Sequence, residues 1–337
     1  MIPSRVLAAA LVLVAARLDA QWTRVNTGTT ASLRGLTSGP GRIVWASGQH
    51  GTVLQSADLG VTWTVMTIPG AESFDLRGII PIGNAMLAMV SGADTARIYR
   101  TVDSGRTWTI AYDDRRKGAF LDGMARWSGG RGIAVGDPID GRWVILVTDD
   151  AGAHWRPVAD PPAALAGEAA FAASNSCVVT GSRGRAWIVT GGGPVARVLR
   201  TTDYGQHWSA AELPIPAGNA ASGAFSAAID PGGAFGVVVG GDYAVPDSAR
   251  LNVAVMTDGG RQWVAGDTAR RAPYLSSVTG DAVLVATGPR GTYTSPDWGR
   301  SWSRVDTVGY NAVIVTAPGR FVAVGPNGTV GISGRRR

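Results

Sequence analysis

The sequence predicts an all-β, seven-bladed β-propeller with four antiparallel strands per blade, its last blade closed by the N-terminal strand. Three observations carry this expectation. The first is an eight-residue pattern: a small polar residue, Asp two positions on, Gly two further and Trp three after that. It occurs at Ser56/Asp58/Gly60/Trp63, Thr101/Asp103/Gly105/Trp108, Thr148/Asp150/Gly152/Trp155, Thr201/Asp203/Gly205/Trp208 and Ser295/Asp297/Gly299/Trp302, with a copy lacking the hydroxyl at Met256/Asp258/Gly260/Trp263. The second is the spacing between successive Asp residues, 45, 47, 53, 55 and 39, which marks a repeat architecture. The third is that short apolar runs recur around each octet in a fixed order, enough for four strands per repeat.

The octet has the chemistry of a hairpin turn with an anchor. Gly supplies a positive φ, the Asp carboxylate can accept bonds from N–H groups of its own loop, and Ser or Thr adds a hydroxyl. The Trp opens the following strand and is expected to bury its ring, whose removal from a core costs about 3–5 kcal/mol. These eighteen Asp, Gly and Trp residues therefore read as architecture, not catalysis.

The strands follow in order. Each octet is preceded by a strand ending in its Ser or Thr, such as 51–56, 96–101 and 291–295. Before that lies an apolar run closing in Gly: 43–48, 132–136 and 235–240. Before that again comes a shorter strand with a repeated opening, Leu33-Arg34-Gly35, Leu76-Arg77-Gly78 and Leu121-Asp122-Gly123. After the sixth octet, 311–316, 320–325 and 328–332 supply three strands and stop. The segment 21–25 matches the strand that follows each octet, so the two ends predict one split blade and a closed ring with no exposed sheet edge at the join.

The first twenty residues read as a secretory signal: Arg5, an apolar run from Val6 to Ala16, and Leu18-Asp19-Ala20 before the cleavage point. That run is too short to span a bilayer, and nothing after it is apolar enough to do so. The expected organisation is thus a signal peptide at 1–20, one propeller domain at 21–334 and a basic tail at 335–337, in a secreted or periplasmic monomer. The net charge of +6 reduces to about +2 for the domain once the signal and the Arg tail are set aside. Both signs are interspersed, which argues against a nucleic-acid stripe. The single cysteine, Cys177, excludes an internal disulfide and reads as a buried structural thiol.

The combination of Leu33-Arg34-Gly35, Val44-Trp45-Ala46-Ser47-Gly48, Gly51-Thr52-Val53-Leu54 and the first octet resembles a photosystem II assembly and stability factor propeller of the Asp-box (bacterial neuraminidase repeat) class. The resemblance covers the whole chain after the signal and is best in blades one and two; blade three carries Asp122 where the others carry Arg. It implies a seven-bladed secreted or lumenal protein that binds another protein. The octet is shared with sialidases, other glycoside hydrolases and sortilin-like receptors, so it specifies fold far better than function.

Propeller topology places the octets on one face and the candidate site on the other. The residues opening the first strands, taken by alignment as Arg34, Arg77, Asp122, Glu168, Ser226, Ser276 and Asn311, are expected to ring the channel mouth. Polar loops on that face add Asp137, Asp140, Arg142, Asp242 and Tyr243, with Gln49, His50, Arg290 and Asn327 beyond them. Arg34 and Arg77 could hold a carboxylate or an acidic peptide segment in bidentate fashion; alternatively they pair with Asp122 or Glu168 and only solvate the mouth.

No catalytic set is assignable. Arg42-Ile43 is followed by Val44 where a sialidase would carry Pro, and only Glu72, Glu168 and Glu212 remain as glutamates after the signal. The carboxylates Asp122, Asp137, Asp140, Glu168 and Asp242 leave a glycoside hydrolase acting on carbohydrate as the rival reading. His154 and His207 sit just before octet tryptophans and read as rim residues, Thr148–Gly152 lacks the downstream Glu of a calcium loop, and no dinucleotide fingerprint follows a strand. No metal or cofactor is expected. The leading expectation is a non-catalytic scaffold that binds a protein or an acidic peptide segment.

Overall fold

A computed structural model of the 337-residue chain describes residues 22–266, 271–280 and 283–334. Segment 1–20, expected to be a signal, and the basic tail 335–337 lie outside the described residues. The chain folds into seven four-stranded antiparallel sheets arranged as a β-propeller. Blade one is Leu33–Ser38, Val44–Gly48, Thr52–Ser56 and Thr64–Thr67; blade two runs from Leu76–Ile82 to Thr109–Asp114, blade three from Leu121–Arg126 to Arg156–Pro157, and blade four from Val178–Thr180 to Ser209–Glu212. Blade five runs from Ser222–Ile229 to Gln262–Ala265 and blade six from Ser277–Gly280 to Ser303–Asp306. The closing blade has the order predicted: Ala312–Ala317, Arg320–Val324 and Val330–Ser333, then Thr23–Val25 as outermost strand. There Thr23 faces Ile332 and Val25 faces Val330.

Inner strands are buried on both faces because each sheet is packed between two others, which explains their continuous Val, Leu, Ile and Ala content. Trp45, Val53, Ile79 and Ala88 fill the space between blades one and two, and Trp143, Trp187 and Val198 between blades three, four and five. The third residue of the openings Leu33-Arg34-Gly35 and Leu121-Asp122-Gly123 is glycine because blades meet there. A Cβ on Gly35 would lie 3.0 Å from the backbone of Gly78 and Ile79, and one on Gly123 would lie 2.7 Å from the Cys177 sulfur.

The octet turns are built as the chemistry suggests. In the first, the Gly60 N–H donates to Ser56 Oγ at 2.8 Å, the Ser56 hydroxyl donates to Asp58, and Asp58 accepts from the Thr62 N–H and hydroxyl at 2.8 and 2.7 Å. The same bond recurs in blades two, four and six. There the N–H groups of Gly105, Gly205 and Gly299 donate to Thr101, Thr201 and Ser295 at 3.0, 3.1 and 2.8 Å.

The octet glycines take the positive φ expected of them, as Gly60 does at 88° and Gly299 at 87°. Each of these glycines is preceded by a second left-handed residue: Leu59 at φ 62° before Gly60, Ser104 at 61° before Gly105, Tyr204 at 62° before Gly205 and Trp298 at 57° before Gly299. The turn therefore also strains one residue that carries a side chain. The glycine has a further reason to be small at Gly299, where a Cβ would lie 2.7 Å from Val237 of the preceding blade.

One expectation for the octet is corrected, that each tryptophan ring is buried. Only Trp263 and Trp302 of the six are buried; Trp63, Trp108, Trp155 and Trp208 are half-buried, because they lie over the outer strand of a blade, which has solvent on one side. Trp63 instead donates its ring N–H back to the Gly60 carbonyl at 2.9 Å. Trp108, Trp208 and Trp302 do the same to Gly105, Gly205 and Gly299 at 3.1, 3.0 and 3.1 Å. The ring clamps the turn as much as it fills a core.

The copy without the hydroxyl departs from the others. Met256 gives the turn no oxygen to bond, and Asp258–Gly260 winds into a short 3-10 turn with Asp258 itself at φ 49°.

Candidate functional site

Strand pairing fixes the true mouth positions. In blades one, two, three and five the first strand carries a bulge, which frees one residue from the ladder and turns its side chain to the channel. The freed residues are Arg34, Arg77, Asp122 and Phe225. The mouth position of blade five is therefore Phe225, one residue before Ser226, which stays in the ladder opposite Val239. In blade four the first strand is Val178–Thr180 and Ser176 takes the mouth position. Glu168 lies well before that strand. It is buried, bonded to the Thr190 hydroxyl at 2.7 Å and to Arg197 Nε at 2.8 Å, with a second bond from the same guanidinium. Glu168 anchors a loop and does not ring the channel.

That loop is the feature the sequence did not disclose. Residues 158–177 form no named strand and cross the mouth as a strap. Its tip, Phe171 to Ser176, reaches five other blades. The Ala173 carbonyl accepts from Arg34 Nη1 at 3.4 Å in blade one, and the Asn175 amide lies against Gly78 of blade two. Asn175 Oδ1 accepts the Met124 N–H of blade three, the Ser176 hydroxyl meets Ser226 of blade five at 2.6 Å, and the Ser174 hydroxyl donates to the Ser276 carbonyl of blade six at 2.8 Å. Asn175 sits at φ 58°, a conformation asparagine tolerates better than most residues. The channel mouth is capped rather than open.

The remaining mouth surface has two halves. On the blade four-to-six side Phe171 stacks on Phe225 with centroids 3.8 Å apart, Tyr274 meets Phe225 edge-on at 4.8 Å, and the exposed Tyr243 closes on both. On the blade one-to-three side lie Arg34, Arg77, Asp75, Asp122 and Asp137. Arg77 pairs with Asp75 at 2.8 Å, and not with Asp122 or Glu168 as the solvation alternative required. Arg34 forms no ion pair among the described residues. Burial, and after it the neighbouring Arg77, lower its pKa; Asp75 and Tyr274 counter this only in part.

Asp122 and Asp137 form a carboxyl pair beneath this surface. Asp122 is fully buried and neither oxygen meets the geometry of a hydrogen bond, yet each carboxyl shifts the other's titration. Burial first, and the charge of Asp137 second, push Asp122 well above the usual carboxylate range, which favours its neutral form. Burial raises Asp137 to about 6, against the opposing bond from the Ala170 N–H. The Cys177 thiol next to them is also pushed up by burial and by Asp122, which makes it inert as a nucleophile.

The other predicted residues scatter. Asp140 is the exposed tip of a hairpin at φ 52°, and Arg142 pairs in solvent with Asp160 at 3.1 Å. Asp242 holds its own loop through the Ala244 N–H and the Asn219 amide. Asn311 is a seam residue: its amide donates to the Leu33 carbonyl at 2.9 Å, tying blade seven to blade one. Gln49 and His50 are exposed and Arg290 pairs with Asp247. The octet residues, Gly105, Gly205 and Gly299 among them, spend their polar groups inside their own turns and add nothing to the mouth. A cavity of about 30 Å³ lies among Asn219, Asp242, Arg250 and Asn252, room for a water or two and no more. Of the residues missed, Phe171 and Asn175 lie in a segment with no repeat pattern, and Asp75 was hidden by its place just before a first strand.

No protein-family model and no curated protein matches the chain. Among solved structures it is similar to YCF48 bound to a D1 peptide, at a TM-score of 0.65 and 14% identity over 94% of this chain and 97% of that one. YCF48 from Cyanidioschyzon merolae gives 0.66 and 15% over 93% and 98%. A catalytically inactive virginiamycin B lyase from Staphylococcus aureus, with quinupristin, gives 0.64 and 13% over 94% and 99%. At such identities these likenesses describe a shared fold.

Proposed function

We propose that this propeller is a non-catalytic scaffold that binds a polypeptide at its capped channel mouth, the partner offering a carboxylate to Arg34 and apolar surface to the aromatic half. The observation that carries this reading is Arg34 itself: a half-buried guanidinium beside a second arginine, with only a long bond to the Ala173 carbonyl and no carboxylate of its own among the described residues. A guanidinium in that setting gains more from an incoming carboxylate than one already paired. The solved structure of YCF48 with a D1 peptide is consistent with peptide binding by a propeller of this shape.

The octet turns, with their shared Ser/Thr–Asp–Gly bonding, support placing the chain in the Asp-box class, and the assembly-factor resemblance supports a role in building or protecting a larger complex. With its N-terminal segment read as a signal, the scaffold would act outside the cytoplasm. A carbohydrate hydrolase at this mouth is the weaker reading. Its best acid, Asp122, is sealed from solvent, and Glu168 is consumed by Arg197.

The test is affinity capture from an extract of the source cells, with wild type against an Arg34→Ala/Arg77→Ala double variant. Loss of a partner with the fold intact supports the mouth as the site; undiminished recovery overturns it. Appearance of a shortened chain beginning near Gln21 in the extracytoplasmic fraction tests the location.

A further inference from the structure

The opposite face holds an arginine cluster with no carboxylate partner among the described residues. In blade two, Arg100 precedes the octet threonine and faces Leu87 in the ladder. Its Nε donates to the carbonyl of Ala151, in the octet of the next blade, at 3.1 Å. Arg200 holds the same place in blade four, facing Trp187, and the matching carbonyl in the next octet belongs to Gly259. That octet is the one without a hydroxyl, wound into a 3-10 turn whose Asp258 carbonyl bonds inward to the Arg261 N–H. Arg200 Nε is buried and has no partner among the described residues.

Two more cations border it. Burial, then Arg261, then Arg185 lower the pKa of Arg200, and no carboxylate offsets them. None of the three arginines forms an ion pair among the described residues. Three like charges beside a buried, unsatisfied donor cost free energy that an anion would recover. Arg185 also packs against the turn at Gly233, whose end carries Phe235, more than half exposed and leaning on Trp298 with centroids 5.7 Å apart. A cationic pocket thus adjoins an apolar knob.

We propose that this octet face, at the junction of blades four and five, is a second protein-binding surface that takes an acidic segment, with a carboxylate between Arg185, Arg200 and Arg261 and an apolar side chain on Phe235. Arginine beside exposed aromatic surface is the composition of protein-interface anchors. A polyphosphate chain fits less well, because it offers no apolar side chain to the exposed Phe235.

The test measures anisotropy of a fluorescein-labelled decapeptide of alternating Glu and Leu at low salt, with the Gln-for-Glu peptide and a single-stranded oligonucleotide of equal charge as comparisons. The acidic peptide should bind wild type, and Arg185→Ala/Arg261→Ala should weaken it about tenfold or more. The Arg34→Ala/Arg77→Ala variant should bind as wild type does, which separates this surface from the mouth. No binding to wild type, equal binding by the Arg185/Arg261 variant, loss only in the mouth variant, or tighter binding of the oligonucleotide at the same residues would each overturn the proposal.

Discussion

Asn175 is joined to the backbone of Met124 in both directions: its Oδ1 accepts the Met124 N–H at 2.8 Å and its Nδ2 donates to the Met124 carbonyl at 3.2 Å. The side chain thereby replaces a missing strand neighbour and pins the strap in the channel.

Asn175→Ala should therefore cost about 1–3 kcal/mol, since it orphans two buried backbone groups and removes a residue suited to positive φ. Urea unfolding measures the loss. Hydrogen exchange should rise over 171–176 and not at the octets; uniform exchange across the chain would show that the strap is not a separate unit.

The Asp122–Asp137 pair predicts a stability that falls with rising pH. Both carboxyls titrate higher in the folded chain than in the unfolded one, so the folded state binds more protons. Their contribution is fully present below about pH 4 and is lost as pH climbs through about 6, where Asp137 ionises. Asp122→Asn keeps the shape and removes a group whose ionisation burial opposes. It should raise stability at pH 7 and flatten the slope, by thermal melts from pH 4 to 8. A variant less stable at every pH would refute the assignment.

At the octets the sign reverses. Burial opposes ionisation of Asp150, but bonds from the His154 N–H and ring and the Thr148 hydroxyl outweigh it and hold the carboxyl at about 2. Asp203 behaves alike through His207 and Thr201. Stability from these turns is present above about pH 4 and is lost as pH falls toward 2. Thr148→Val should cost about 1–2 kcal/mol and convert the third octet to the winding of the fifth, detectable as a changed amide shift at Gly152.

Removing Trp22 to Val25 strips the outer strand from Val330–Ser333 and uncovers Tyr310, whose ring lies 5.5 Å from that of Trp22. The melting temperature should drop by about 10 °C or more, on the order expected for several kcal/mol in a chain of this size. An unchanged melt would refute closure by this strand.

The fold was legible because its signal repeats. One octet is weak, but six at similar spacing fix the blades, and the partial sets at 21–25 and 311–332 locate the join. Less of the turn itself was legible: the left-handed residue before Gly105, Gly205 or Gly299 is Ser, Tyr or Trp, which shares no side-chain chemistry from copy to copy. The mouth was legible only where blades keep one register. Arg34, Arg77 and Asp122 each follow a Leu and precede a Gly, so alignment found them. Glu168 was misplaced because blade four carries the strap in place of a short connection, and Ser226 by one residue because a bulge is invisible in sequence. Phe171 and Asn175 act through contacts with blades far along the chain, which no local pattern encodes. Arg200, whose Nε has no partner among the described residues, was hidden for a different reason: its neighbours Arg185 and Arg261 come from other segments of the chain.

The seam between blade seven and the N-terminal strand sets the order of assembly. Thr27 Oγ1 reaches the Gly328 carbonyl across 301 residues of sequence, among the longest loops the chain must close. Blades one to six can form from local hairpins, whereas the first strand has no partner until the last one exists. Ring closure is thus the late, slow step of folding, in keeping with the rate penalty of distant contacts. A circular permutant joining Gly334 to Trp22 and opened between two whole blades would turn that distant contact into a hairpin and should fold faster at similar stability.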